Sequence, residues 1–162
     1  MLRRGERGSE HDCHLEMISS DFFLFLRLAF KACLCQVEIF DPVKCSWSTL
    51  APVPRHRFGV AAAPVAGSLY IAGGHDGQKA VAELERCDLR QRGGHWEQLP
   101  PAPSARHGAA AAAAGGAFYL IGGDDGKSLA SVERFDPISK RWVTLPALPT
   151  GRFGCAACAA WA

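Results

Sequence analysis

Residues 119–142 read YLIGGDDGKSLASVERFDPISKRW. An apolar run ends on Gly122-Gly123, and Asp125-Gly126 comes next as a turn signal. A second run carries Glu133 and, three residues on, Asp136, and Trp142 closes the stretch. Short apolar and aromatic segments separated by Gly, Asp and Pro read as strands joined by tight turns. The pattern recurs. Tyr70-Ile71-Ala72-Gly73-Gly74 matches Tyr119-Leu120-Ile121-Gly122-Gly123, and Glu38, Glu85 and Glu133 are each followed three residues later by Asp41, Asp88 and Asp136. Trp47, Trp96 and Trp142 stand 49 and 46 residues apart, as do the triplets that begin at Arg57, Arg106 and Arg152. Laid over 104–127 without a gap, 55–78 is identical at 11 of 24 positions. Several anchors in one register, with a period near 50 residues and short strands, predict propeller blades.

Each unit reads as four strands. The first is Ala-rich, at 57–64, 106–114 and 152–160, and the second is SLYIA or AFYLI, ending on the double glycine. The third carries Glu-x-x-Asp and the fourth carries the Trp, after which Pro-rich links lead onward. The segment 107–116, HGAAAAAAGG, is a helix former by propensity alone. In register it lies over FGVAAAPVAG at 58–67, so it reads as an innermost strand, reduced to methyl groups where blades converge. Tyr70, Tyr119, the glycine pairs and the tryptophans read as scaffold.

The double glycine with a preceding Tyr, the Glu-x-x-Asp and the late Trp resemble the kelch repeat, over about 37–160. The fold class expected is all-β, a partial kelch β-propeller with two complete four-stranded antiparallel blades and partial blades at both ends. The divisions are a non-repeat leader at 1–36, helical or disordered; the last two strands of a blade at 37–54; full repeats at 55–103 and 104–149; and the first strand of a further blade at 150–162. Propellers close with about four to eight blades, so the chain reads as a segment of one, a shortened form or fragment with a replaced N-terminus.

Composition narrows the function classes. With 162 residues, a net charge of +2 and scattered Lys and Arg, the chain offers no electrostatic case for nucleic acid. Seven cysteines, an odd number, point to free thiols in a reducing compartment, and the expected location is cytoplasmic. Residues 17–35, MISSDFFLFLRLAFKACLC, are interrupted by Arg27 and Lys31, too soon for a membrane-spanning helix. Phe22, Leu26, Phe30 and Cys33 fall at helical spacing, which predicts a short helix covering the start of the repeat region. HDCH at 11–14 and the Cys155/Cys158 pair lack the four-ligand logic of a zinc site, and on a strand residues 155 and 158 face opposite ways. No metal or other cofactor and no catalytic residue is expected; Gly-x-Ser-x-Gly, a phosphate loop and paired carboxylates do not occur. Copper-oxidase propellers need Tyr, His and Cys ligands near the axis, whereas both tyrosines here hold the scaffold position.

The resemblance implies a protein–protein interaction module, with the partner, a protein or an acidic peptide, on the loop face. In kelch-like ubiquitin ligase adaptors one face uses the Arg that begins each first strand and the residues just past the glycine pair. Carried over, these are Arg57, Arg106 and Arg152, with His75 and Asp124; Phe58, His107 and Phe153 belong to the same rim. A ring of arginines would suit carboxylates through bidentate hydrogen bonds. The alternative role for those arginines is bonding to carbonyls of the adjoining blade. The same resemblance implies substrate recognition in a cullin-RING ligase; residues 1–36 leave no room for a BTB domain, so this chain alone is not expected to recruit the ligase. Actin-binding or scaffold roles, and a truncated form without function of its own, are the alternatives.

Overall fold

The computed structural model describes the backbone of residues 13–19, 22–28, 35–41, 43–91 and 94–160, with side chains from Val37 onward. The first sheet holds β1 (Cys13–Ser19), β2 (Phe22–Leu28), β3 (Cys35–Asp41) and β4 (Ser46–Leu50), in that order and antiparallel. The second holds β5 (Ala61–Val65), β6 (Ser68–Ala72), β7 (Leu84–Asp88) and β8 (Trp96–Leu99); the third holds β9 (Ala110–Ala114), β10 (Ala117–Ile121), β11 (Val132–Asp136) and β12 (Arg141–Leu145). The molecule is all-β, a partial propeller of antiparallel four-stranded blades; among the described residues there is no helix.

Two expectations at the ends are corrected. The helical spacing of Phe22, Leu26, Phe30 and Cys33 does not produce a helix over 22–28. Those residues pair with β3 through Leu24↔Ile39 and Leu26↔Val37, so the first sheet has four strands where two were expected. An aromatic-rich run with a strand edge beside it gains more from ladder hydrogen bonds than from a solitary helical turn. Phe30, Lys31 and Cys33 lie outside the described residues, as does residue 11; the side chains of residues 12–14 and Arg27 are likewise outside them. At the other end, residues 155–160 form no strand, because no strand lies beside them to supply partners. There Cys155 is half-buried, with Sγ 3.8 Å from the Ile121 carbonyl, while Cys158 is exposed.

The period-2 alternation of the middle sheet explains how the sheets stack. Ala61, Ala63, Tyr70 and Ala72 face the third sheet and pack with Ala111, Phe118, Leu120 and Phe135. Ala62, Leu69 and Ile71 face the first sheet and pack with Val37, against Ile39 and Leu50. The inner strands are Ala-rich, and the wide side chains (Trp96, Phe118, Phe135, Trp142) fill the space further out.

Recurrent polar bonds fasten each blade. Asp41 Oδ1 accepts the Val43 and Lys44 amides, and Asp136 Oδ1 accepts those of Ile138 and Ser139, capping the β3–β4 and β11–β12 turns. Trp96 and Trp142 donate their indole N–H to the carbonyls of Ala51 and Pro100, each 2.9 Å away in the link from the preceding blade. The double glycine has a specific reason. Gly74 donates its N–H to the Arg106 carbonyl (2.8 Å), and Gly123 donates to that of Arg152 (2.8 Å). At Gly73, with φ +66°, a Cβ would stand 2.5 Å from the Arg106 carbonyl oxygen, so only glycine admits this approach of the next repeat.

Candidate functional site

The triplets Arg57-Phe58-Gly59 and Arg106-His107-Gly108 precede β5 and β9, and the loops after β6 and β10 fold back onto them. Phe58 and His75 exchange both main-chain hydrogen bonds (3.0 and 2.8 Å), and His107 and Asp124 do the same (3.0 and 2.9 Å). The residue after each arginine therefore sits beside the residue just past the glycine pair. Main-chain bonds then link the repeats: Gly108 N–H to the Gly59 carbonyl (2.7 Å) and Gly154 N–H to that of Gly108 (2.9 Å).

This ladder places four rings side by side. Phe58 and His75 have centroids 5.0 Å apart, His75 and His107 5.3 Å, and His107 and Phe153 5.2 Å; Phe58 also meets His107 edge-on at 6.5 Å. Phe153 is 54% exposed, while Phe58, His75 and His107 are half-buried. The result is a continuous aromatic and imidazole rim drawn from three successive repeats.

The arginines divide differently from the expected ring. The Arg106 side chain is fully enclosed: it pairs with Glu133, bonds the Ser104 hydroxyl, and donates from Nη1 to the Gly122 carbonyl at 3.0 Å. Ser104 in turn donates to Glu133 at 3.1 Å. Arg57 is likewise buried and pairs with Glu85. Both guanidiniums turn into their own blade, and the bond to the adjoining blade is made by the Arg106 main chain instead. Burial pushes the Glu85 carboxyl above its ordinary range even though Arg57 lies beside it. Arg152 is exposed and donates to the Thr150 hydroxyl at 3.3 Å, as Arg106 does to Ser104. Of the eight residues expected at the site, the rim therefore gathers Phe58, His75, His107, Phe153 and, through its main chain, Asp124. Arg57 and Arg106 lie inside, and Arg152 stands at the surface.

The carboxylates Glu85 and Glu133, which fix two of the arginines, were visible only as a periodic motif; nothing in their spacing tied them to residues 28 and 27 positions earlier. The loop beyond each glycine pair carries exposed charge: Asp76 and Lys79 on one, Asp125 and Lys127 on the other. The Asp76 carboxyl is held below its ordinary range by the Lys79 and Gln78 amides that it accepts. Among the described residues no group of three His, Cys, Asp or Glu side chains gathers for a metal, and no helix is long and apolar enough to cross a membrane.

Comparison with known proteins gives two findings. The sequence profile of the KLHDC2/KLHL20/DRC7 Kelch-repeats domain matches residues 11–161. Human Kelch-like protein 4 is 40% identical over 55 residues, which are 34% of this chain and 8% of that protein.

Proposed function

Since this chain belongs to the kelch-repeat family, we propose that it is a non-enzymatic protein-binding module whose contact surface is the rim of Phe58, His75, His107 and Phe153. The observation that carries this reading is the ring ladder itself. Partly exposed rings from three repeats are held rigid by paired main-chain bonds. Preorganised aromatic anchors lose little freedom on binding and dominate interface energetics. The buried pairing of Arg57 and Arg106 moves the binding role away from a ring of guanidiniums and leaves Arg152 as the one exposed arginine of the three repeated triplets. An acidic peptide would thus meet a single open guanidinium beside the rings.

The finer reading is substrate recognition for a ubiquitin ligase, supported by the likeness to kelch-like adaptors. The cytoplasm is the proposed location, on the odd count of seven cysteines. Selection of 12-residue displayed peptides on the full chain tests the rim. Ligands recovered should lose at least about tenfold in affinity with Phe58→Ala or Phe153→Ala, the cost of one aromatic anchor. Ligands indifferent to both substitutions would place binding elsewhere.

A further inference from the structure

The two central imidazoles are fixed by main-chain groups in opposite tautomers. His75 accepts the Gly77 N–H at Nδ1 (3.0 Å), so the neutral ring carries its proton on Nε2. His107 Nδ1 lies 3.0 Å from the Asp124 carbonyl, which can only accept, so its proton is on Nδ1 and its Nε2 is bare. The rings meet at 5.3 Å and 73°. Neither Nε2 is a buried unpartnered atom, and neither bonds another described residue. One open donor and one open acceptor thus stand on adjacent rings, flanked by Phe58 and Phe153.

Resting on the rim reading above, we propose that the His75–His107 pair reads a carboxamide group on the protein partner, with His75 Nε2–H donating to its oxygen and His107 Nε2 accepting its N–H. A carboxylate offers acceptors only and would set an oxygen lone pair against His107 Nε2. An ammonium offers donors only and would leave His75 Nε2–H unmatched. The phenyl rings would cover the apolar carbons beside the amide.

The repeats supply their own controls. Asp124 holds in the third blade the position of His75, its Oδ1 accepting the Gly126 N–H at 2.8 Å. Phenylalanine holds at 58 and 153 the position of His107. His75→Asp therefore keeps the turn acceptor and loses the donor, and His107→Phe keeps the ring contact and loses the acceptor.

The test uses the full chain at pH 8, above the ordinary histidine range, with peptides selected on it as probes. Each Asn or Gln is exchanged for Asp or Glu, and each backbone amide is methylated in turn. A loss of about tenfold on one carboxamide-to-carboxylate exchange identifies a side-chain amide; the same loss on one methylation identifies a main-chain amide. The same tenfold loss should accompany His75→Asp and His107→Phe, with unchanged urea midpoints. Long-range ¹⁵N–¹H spectra should show the proton on Nε2 of His75 and on Nδ1 of His107. Equal tautomers, tighter binding of the carboxylate peptides, or indifference to every exchange overturns the proposal while the rim reading stands. Peptides that ignore Phe58→Ala and Phe153→Ala overturn both.

Discussion

Arg106 and Glu133 place opposite charges where water does not reach, and each satisfies the other. Removing one leaves a buried charge alone. Glu133→Ala should cost about 3–5 kcal/mol in urea unfolding, whereas Arg106→Met with Glu133→Leu should be close to neutral. Glu85 carries a pH signature. Its carboxyl binds a proton more tightly in the folded than in the unfolded chain, because burial raises its pKa above 4.5. Stability from this group is therefore full below pH 4.5 and declines as pH rises through the folded value. Glu85→Gln should flatten that decline in melting temperatures recorded from pH 4 to 7; a wild-type slope left unchanged would contradict the assignment. The exposed Asp88 behaves oppositely. Its carboxyl, held at about 2 chiefly by Arg90, contributes stability that is lost as pH falls from 4 toward 2. These pairings were illegible in the sequence at this scale. Arg57 and Glu85 each repeat with the period, but periodicity does not say whether an arginine faces solvent or its own blade.

The alanine run shows what register can decide that propensity cannot. Six alanines at 109–114 favour a helix locally, yet 110–114 pair with β10 from Ala114↔Ala117 to Ala110↔Ile121. The aligned repeats disclosed this because the neighbours of the run, Arg106 and Gly122-Gly123, had to keep their places. The run at 22–28 had no such anchors. Its Phe and Leu spacing fitted a helix, and only the presence of β3 beside it selects a strand. The double glycine was equally legible as a close approach, although which atom approaches was not. Gly73→Ala should cost at least about 1–3 kcal/mol, since the strained φ adds to the collision with the Arg106 carbonyl. Trp142→Phe should cost about 1 kcal/mol by removing the indole bond to Pro100 while keeping most of the ring contact. Both are measured by urea midpoints at constant slope.

Across the whole molecule, the second sheet is covered on both faces and the other two lend it one face each. Amide exchange should consequently be slowest in β6, whose five residues are all buried, and faster in β12, where Arg141, Val143 and Thr144 are exposed. The same stacking aligns the residues after the arginines into one rim, so the scaffold that buries Arg106 also presents His107. The sequence named all the rim residues but not their contacts, because His75 and His107 belong to different repeats and meet only once two blades are stacked. The most direct measurement of this division is the affinity of a selected peptide for two variants of the full chain. The rim account predicts that Arg106→Met with Glu133→Leu binds as the wild type does, within about twofold, and that Phe153→Ala binds at least about tenfold more weakly. Loss of binding in the arginine variant with wild-type affinity in Phe153→Ala would contradict it.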